Sequence, residues 1–304
     1  MTPKTIVVAG GTGNLGSQIV RALLNLNTHV KVLVRATSNP TKTQQLQQLG
    51  ATVVCVDETN VQQIADACRG AHCVVSALAG LEQVIIDAQT ALLNGAVLAG
   101  VPRFIPSDYS TDFTKFSHGE NRNLDIRRKF HTVLNAAPIA ATTIFNGAFM
   151  DMLTNEIPMI IVKRKLVLYW GNAHHNMCFT TVNNTAMFTA HVALEEQSPR
   201  YLHIAGQLIS AAEIKDVMTE LSGQRYRLIK TGSLGMLSLI IKIARRLAPS
   251  PNNLYPAWQG MQYMRNMMDQ RATLTSTDNN RYPHLTWTSV KELIARHNAI
   301  NNRN

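Results

Sequence analysis

A glycine-rich turn between an apolar strand and an amphipathic helix constrains this chain more than any other stretch. The run Ile6 to Ala9 is short, apolar and β-branched, which is typical of a buried parallel strand. Gly10, Gly13 and Gly16 follow at the spacing G-x-x-G-x-x-G, and leucine and isoleucine then recur at helical steps. Glycines let a backbone approach a pyrophosphate, and a helix start offers it free N–H groups. The stretch predicts a dinucleotide-binding turn; the alternative is a tight strand–helix turn that binds nothing.

Arg35, at the end of the second expected strand (His29 to Arg35), indicates which dinucleotide binds. In NAD-specific folds an acidic residue at this position accepts a hydrogen bond from the ribose 2′-hydroxyl. An arginine cannot accept that bond, but it pairs well with a 2′-phosphate. The sequence therefore favours NADP(H) over NAD(H) as cofactor. An exposed loop arginine without a binding role is the alternative.

Strands and helices alternate up to about residue 150, which predicts an α/β fold with a doubly wound parallel Rossmann sheet in the order 3-2-1-4-5. Further strands are expected at Ala51 to Val56, His72 to Leu78, Arg103 to Ile105 and Thr142 to Phe145. The intervening helices are expected at Thr41 to Leu49, Val61 to Cys68, Glu82 to Ala99 and Asn123 to Ala136. Ligands of such folds bind at the carboxyl ends of the strands. Asp57 lies at the carboxyl end of the third expected strand. Its carboxylate suits either of two roles: accepting a hydrogen bond from an adenine amino group, or stabilising a turn.

The second half of the chain loses this rhythm. We expect helices at Asp151 to Ile161, Val182 to Leu194, 211–221 and Leu234 to Leu247. Short strands are expected at Lys165 to Trp170, Cys178 to Thr181, Tyr201 to Ala205 and Tyr226 to Lys230. This pattern predicts a smaller, interleaved α+β substrate domain on the C-terminal side. Residues 1–150 are then the cofactor domain, to which segments of about 178–206 return, and residues 151–304 are the smaller domain.

Composition and charge exclude several classes of protein. The 304 residues are 45% hydrophobic and only 16% charged, which argues against disorder. No apolar run is long enough for a membrane span, and the first strand begins directly after Lys4, so we expect a cytoplasmic protein without a signal peptide. The net charge of +10 suits an anionic cofactor. Because the cations are dispersed and no zinc-finger or helix-turn-helix pattern accompanies them, nucleic acid is not an expected partner.

Three further features have an ordinary structural interpretation. The helix Leu234 to Leu247 is basic and amphipathic, and we favour a packed helix over contact with a membrane surface. His174 and His175 are neighbours, which point to opposite faces of a strand and do not have metal-ligand spacing. No metal site is expected. Four cysteines lie in core-like elements without a C-x-x-C pair and are expected to be buried thiols: Cys55, Cys68, Cys73 and Cys178.

Four motifs connect these observations to a known family: VVAGGTGNLG (7–16), VLVR (32–35), GVPRFIPSDYSTDF (100–113) and TTIFNGAFMDML (142–153). In these motifs the sequence resembles the NmrA-like and isoflavone-reductase-like branch of the atypical short-chain dehydrogenases. The resemblance spans most of the chain. It implies a doubly wound NADP(H) domain and a smaller substrate domain woven from later segments.

The resemblance also implies where the cofactor lies. It implies Arg35 at the 2′-phosphate, and a stretch along the adenosine formed by Ser76, Ala77 and Leu78. The residues implied beside the nicotinamide are Pro106, Ser107 and Asn146. Those implied around the pyrophosphate, with Gly16 completing the motif, are Gly10, Thr12, Gly13, Asn14 and Leu15.

The catalytic positions depart from the pattern of related enzymes. Short-chain dehydrogenases use a Tyr-x-x-x-Lys pair, but Tyr109 is followed four residues on by Phe113. The isoflavone-reductase branch has a lysine near the start of the next helix, a position that here falls on Arg127, with Lys129 two residues away. Arginine stays protonated, so it can stabilise negative charge but cannot transfer a proton. Arg127, Lys129 and Tyr109 are the catalytic candidates, and the proton donor stays unassigned.

Two main functions follow. The first is an NADPH-dependent reductase that transfers a hydride to a small electron-poor acceptor such as a quinone, an enone or a phenolic compound. The second is a non-catalytic NADP(H)-binding redox sensor of the NmrA type, which would have a protein partner; the missing lysine favours it. An epimerase-like activity is a third, weaker alternative. Either a monomer or a homodimer is expected. Candidates for a substrate pocket are Phe149, Met150, Tyr169, Trp170, His174, His175 and Met264.

Overall fold

A six-stranded parallel sheet forms the centre of the fold in a computed structural model, which describes residues 3–154 and 157–301. Its strands lie in the order β3-β2-β1-β4-β5-β6, and every neighbouring pair is parallel. This arrangement confirms the predicted doubly wound sheet. The strands are β1 (Thr5–Ala9), β2 (His29–Val34), β3 (Thr52–Cys55), β4 (Cys73–Ser76), β5 (Arg103–Ile105) and β6 (Ala140–Ala141).

Helices cover both faces of this sheet. They are α1 (Asn14–Asn25), α2 (Pro40–Gln48), α3 (Val61–Cys68), α4 (Gln89–Leu98), α5 (Arg122–Ala136) and α6 (Val182–Ala193). A π-helical segment, Gln83–Ala88, leads into α4. Side chains of β1 alternate between two cores: Ile6 and Val8 pack with α1 and α6, whereas Val7 and Ala9 pack with α3 and α4. Both faces of the sheet are therefore buried.

The later strands form three smaller sheets, two of which build a smaller α+β lobe around a third core. They are β7 (Thr143–Phe145), β8 (Ala148–Phe149), β9 (Ile160–Ile161), β10 (Leu166–Trp170), β11 (Met177–Thr180), β12 (Tyr201–His203), β13 (Gln207–Ile209) and β14 (Arg227–Gly232). They form sheets in the orders β14-β10-β9, β13-β11-β8 and β12-β7. The helices of this half are α7 (Ala211–Ser222), α8 (Leu234–Leu247), α9 (Ala257–Met267) and α10 (Val290–Asn301).

Segments from the second half of the chain return to the core beside the first sheet. β12 pairs in parallel with β7 in a separate two-stranded sheet, and α6 packs along α1. Phe188 of α6 and Ile204 after β12 are fully buried in the core shared with β1. The lobes are thus interleaved, while the boundary near residue 150 stays a prediction.

Two expectations are wrong. The predicted helix Asp151 to Ile161 is a short 3₁₀ turn, Met150–Thr154, followed by β9, with residues 155 and 156 outside the described part. Pro158 lies in the middle of that stretch, where its ring and missing N–H oppose a continuous helix. Cys55 is exposed because β3 is the edge strand, whereas Cys68, Cys73 and Cys178 are buried as expected.

Residues 3–154 and 157–301 contain no helix that combines the length and apolarity needed to cross a bilayer. The same residues contain no group of three or more His, Cys, Asp or Glu side chains that could hold a metal ion.

Candidate functional site

The turn after β1 is a cradle that only glycine permits. Gly10 has a φ of 81°, and a Cβ atom there would lie 2.5 Å from the Ala77 carbonyl oxygen. A Cβ at Gly16 would collide with the Gly10 carbonyl oxygen. Gly13 precedes α1, whose start has neither a side-chain cap nor an acidic residue in its first turn. The first amides of α1 are therefore available to an anion such as a pyrophosphate.

Arg35 follows β2 at the same edge of the sheet. Its guanidinium is 57% exposed, with Nη1 3.5 Å from Glu58 Oε1. The Arg35 backbone N–H donates to Ser38 Oγ at 3.0 Å, which fixes the turn that carries the side chain. β1 and β2 are neighbours in register, so a cation here lies beside the cradle. The site fits a cofactor with an additional phosphate.

Asp57, after β3, takes part in a local turn. Its Oδ1 accepts from the Thr59 backbone N–H at 2.9 Å and from the Thr59 hydroxyl at 2.7 Å. These hydrogen bonds hold the pKa of Asp57 below its usual value. The structure therefore shows the role of Asp57 in a turn, and its contact with an adenine stays a prediction.

Ser107 joins the loop after β5 to the loop after β4. Its hydroxyl donates to the Leu78 carbonyl at 2.5 Å, and its N–H donates to Gln89 Oε1 at 3.0 Å. Gln89 is fully buried at the start of α4, a positioning role that the sequence analysis missed. The sequence contains a signal for this role: Gln89 follows Ile85 by four residues and is a polar residue on an otherwise apolar helix face.

Buried polar atoms without partners mark the carboxyl edge. Among the described residues, Ser76 Oγ, Asp108 Oδ1 and Asn146 Oδ1 have no hydrogen-bond partner. Asn146 is otherwise engaged: its Nδ2 donates to Thr185 Oγ1 at 3.3 Å. Native proteins rarely leave such atoms unpaired, because the desolvation cost is not recovered. These three atoms, together with the glycine cradle, fit a polar ligand lying along this edge.

Arg127 is the catalytic candidate that the structure places beside this loop. Its Nε donates to the Ser107 carbonyl and its Nη1 to the Asn123 carbonyl, both at 3.0 Å. Pro106, the residue before Ser107, is buried. The guanidinium therefore lies against the loop expected beside the nicotinamide.

The other two catalytic candidates lie elsewhere. Lys129 is exposed, with its Nζ 3.5 Å from Glu82 Oε1. Tyr109 is buried in the core formed with α1 and α6. Burial raises the pKa of its phenol far above the usual range, which opposes proton release.

A buried polar network, also missed by the sequence analysis, underlies the same loop. Asp108 Oδ2 lies 2.6 Å from His131 Nε2 and accepts from the Thr143 hydroxyl at 2.8 Å. Arg200 Nη2 lies 3.2 Å from His131 Nδ1. Because an arginine only donates, Nδ1 is the acceptor, and Nε2 carries the proton that is donated to Asp108. The network links the loop to α5, β7 and β12.

The pocket candidates divide into three groups. Met150 belongs to the third core, against which Tyr169, Trp170 and Met264 pack, so these four belong to one apolar cluster. Phe149 packs on the first core instead. The remaining two candidates are His174, which is exposed, and His175, which is buried with its Nε2 3.1 Å from the Met267 carbonyl oxygen.

Helix α9 is attached to the start of α5 by buried amides. Asn121 Nδ2 donates to Asn266 Oδ1 at 2.9 Å, and Gln259 Nε2 donates to Asn121 Oδ1 at 2.8 Å. The Arg122 N–H donates to Gln262 Oε1 at 3.1 Å. Three amide side chains of α9 thus dock this helix next to the start of α5, the helix that carries Arg127.

This fold and this glycine cradle together define a dinucleotide-binding α/β protein of the Rossmann type. The chain belongs to the NmrA-like family, whose model matches residues 2–254.

Relatives and solved structures agree with this assignment. The chain is 27% identical over 252 residues to bifunctional pinoresinol-lariciresinol reductase 1 of Thuja plicata, covering 77% of this chain and 80% of that protein. The solved structure of AtPrR2 with NADP+ and (+)pinoresinol has a TM-score of 0.83 at 19% identity, covering 97% and 99% of the two chains. The quinone oxidoreductase QOR2 complexed with NADPH, from Escherichia coli, has a TM-score of 0.75 at 17% identity, covering 96% and 99%.

Proposed function

We propose that this protein is an NADPH-dependent reductase that transfers a hydride to a small electron-poor acceptor. The observation that carries the proposal is the uncapped glycine cradle with the exposed Arg35 beside it. Similarity to a pinoresinol-lariciresinol reductase supports reductive chemistry. NADPH, when bound, supplies the hydride.

The chain's own residues would hold the cofactor along the carboxyl edge. Main-chain amides from the cradle would bind the pyrophosphate, and Arg35 would pair with the 2′-phosphate. Ser76 and Asn146 would use their unpaired oxygen atoms to accept hydrogen bonds. Ser107, held by Gln89 and Leu78, would set the position of the loop beside the reacting end.

Arg127 would stabilise the negative charge that develops on the acceptor. A guanidinium is permanently protonated, so it favours an oxyanion without giving up a proton. Because burial raises the pKa of Tyr109, that phenol is a poor acid at neutral pH. The site suits an acceptor whose reduced form is a stable anion that solvent can protonate. A quinone meets this requirement best, followed by enones and phenolic compounds.

The test is a panel of quinones, enones and phenolic compounds, with NADPH oxidation followed by loss of the reduced-nicotinamide absorbance. Turnover with at least one acceptor, and faster turnover with quinones than with enones, is the expected result. The Gly16→Ala variant is the matched control, because it lacks an intact cradle and should be inactive with every compound. Absence of turnover with all acceptors, together with tight NADPH binding, would reject the reductase.

A redox sensor is the second candidate, favoured by the substitution of arginine for the expected lysine. Two of the N–H groups of Arg127 are already engaged by backbone carbonyls, as in a structural residue. In a sensor, NADP+ and NADPH would bind with different affinities and alter contact with a protein partner. A calorimetric comparison of the two cofactors tests this candidate: equal affinities would remove the basis for sensing.

We also propose a domain division, a location and an oligomeric state. Residues 1–150, joined by segments of about 178–206, would form the cofactor domain, and residues 151–304 the substrate domain. The location would be cytoplasmic, and the oligomeric state a monomer or a homodimer.

A further inference from the structure

The outer face of α8 is apolar and exposed. Met236, Leu239, Ile243 and Leu247 are 46%, 58%, 49% and 82% exposed. Their spacing along the helix places them in one line, and we call these four residues the α8 ridge. A contiguous line of large apolar side chains facing water marks a surface that another molecule covers.

The inner face of α8 already has its partner. Leu237 and Ile241 are buried, and α8 packs on α9. Ser238 Oγ accepts from Arg265 Nε at 3.2 Å, which adds a polar contact between the two helices. The α8 ridge is thus a second apolar face and not the one that attaches the helix.

Two cations lie beside the ridge without counter-charges. Helical geometry places Lys242 and Arg246 along one side of it. Neither forms an ion pair or a hydrogen bond with any residue in 3–154 or 157–301. Arg245 instead lies over the Trp258 ring, 5.3 Å from its centroid. The two unpaired cations are available to an anionic partner.

The surrounding sequence strengthens this charge. Residues 221–268 contain seven lysines and arginines and no aspartate or glutamate, although the whole chain has 19 acidic residues. The segment covers β14, α8 and α9. Arg265 is neutralised by Glu120 and Asp269, but the other six cations form no ion pair within the described residues, so the ridge lies in a positive field.

We propose that the α8 ridge and its flanking cations dock the protein on an anionic lipid bilayer. The ridge side chains would enter the boundary between headgroups and acyl chains, while Lys242 and Arg246 pair with lipid phosphates. A second copy of the chain fits less well. A symmetric contact through the ridge would bring the cations of both copies together without an acidic partner. The inference departs from the sequence-based preference for a helix that is only packed.

The ridge begins next to a candidate pocket residue. A Cβ atom at Gly232 would lie 2.7 Å from Trp170 Cζ3 and 2.9 Å from Met236 Cε, so both side chains crowd the same glycine. Docking through the α8 ridge would therefore hold the smaller lobe against the bilayer. This surface is independent of the proposed reductase activity.

The experiment is co-sedimentation of the full chain with vesicles of phosphatidylglycerol mixed with phosphatidylcholine, compared with pure phosphatidylcholine. The wild-type chain is expected to bind the anionic vesicles at least about tenfold more tightly, and high salt should remove the difference. The double variant Leu239→Glu/Ile243→Glu should lose about tenfold or more in binding. Lys242→Gln/Arg246→Gln should keep weak binding but lose the dependence on anionic lipid.

The matched control is Leu98→Glu, at an apolar residue of α4 that is 59% exposed and should not affect vesicle binding. Circular dichroism checks that all variants fold, as expected for exposed positions. Failure of the wild-type chain to bind anionic vesicles would overturn the proposal, as would equal binding by Leu239→Glu/Ile243→Glu. A wild-type dimer that this variant converts to a monomer in light scattering would assign the ridge to a second copy and overturn it too.

Discussion

The cradle after β1 and the candidate pocket in the smaller lobe differ in how the chain builds them. In the cradle, the critical positions are glycines, and the groups offered to a ligand belong to the main chain. In the lobe, the candidate residues Met150, Trp170 and Met264 come from separate segments, and the two methionines have side chains of adaptable shape. The class of cofactor can therefore be inferred from one short motif. The acceptor of the proposed reductase would depend on how these distant segments pack, and no single motif specifies it.

The largest effect is expected from Gly16→Ala, which places a methyl group against the Gly10 carbonyl oxygen. The start of α1 must shift, so NADPH affinity should fall by about a hundredfold or more, and stability by about 1–3 kcal/mol. Fluorescence titration with NADPH and thermal unfolding measure the two effects. Gly260→Ala on α9 is the control: a Cβ atom there meets nothing within 4 Å, and the helix should gain up to about 1 kcal/mol. Normal NADPH binding by Gly16→Ala would show that the cradle does not hold the cofactor.

Arg35→Asp tests the side chain that is proposed to select NADPH over NADH. Loss of a charge-assisted pair and gain of repulsion should weaken NADPH binding by about a hundredfold, with little change for NADH. Titration with both cofactors measures the ratio. Arg21→Asp, at an exposed arginine of α1, should alter neither affinity. Equal losses for NADPH and NADH would remove the 2′-phosphate role.

Arg127→Ala and Lys129→Ala together decide which cation serves the acceptor. Because Arg127 contacts the Ser107 loop and Lys129 faces solvent, turnover should fall about tenfold in the first variant and hardly change in the second. Steady-state rates with the best acceptor of the panel, and NADPH affinity as a check on folding, provide the measurement. The reverse order of effects would transfer the role to Lys129.

The smallest effect concerns a charge network that joins Glu120, before α5, to the segment after α9. Arg271 Nη2 donates to Asp269 Oδ2 at 2.7 Å, and Arg271 Nη1 donates to Glu120 Oε1 at 3.0 Å. Hydrogen bonds from Arg271 lower the pKa of Asp269 to about 2 and lower that of Glu120 as well. Both carboxylates are thus more acidic in the folded state than in the unfolded chain. Their contribution is present above the unfolded pKa, near 3.8 for Asp269, and is lost as the pH falls towards about 2.

Asp269→Asn should therefore cost about 1 kcal/mol at neutral pH and flatten the loss of stability between about pH 4 and pH 2. Denaturant unfolding at a series of pH values measures both. Asp66→Asn, which removes a more exposed carboxylate paired with Arg69, is the control and should change little. An unchanged acid slope in Asp269→Asn would exclude this network as the pH-sensitive element.

The sequence predicted the regular part of the fold correctly because local periodicity and short connections determine it. The strand order follows from the alternation of elements. The helix predicted at 211–221 is present as Ala211–Ser222, and a capping box of Ser210 and Glu213 begins it. The family and the reductase-type fold were also inferred correctly from motifs around Gly10 and Ser107.

Features that depend on non-local packing were not predictable in the same way. The exposure of Cys55 depends on β3 being an edge strand. The predicted helix at 151–161 fails because Pro158 opposes it and because Ile160 and Ile161 pair with β10 instead. The amide contacts between Asn121 and Asn266 join residues 145 positions apart, and no local pattern indicates them. The exposed apolar face of α8 could not be predicted either, because an amphipathic pattern does not show how much of a helix the rest of the fold covers.

Segments from the second half of the chain cover one face of the first sheet, and this has a consequence during biosynthesis. Phe188, Ile204 and Leu285 complete the core that covers one face of β1 and β4. Asn279 fastens the region by donating to the Ala205 carbonyl at 2.7 Å and accepting from the Ala205 N–H at 3.1 Å. A ribosome synthesises these residues after the strands of the first sheet, so the nascent N-terminal half must wait with an apolar sheet face open to water. Premature termination near residue 150 would release that unfinished half, with aggregation or capture by a chaperone as the outcome.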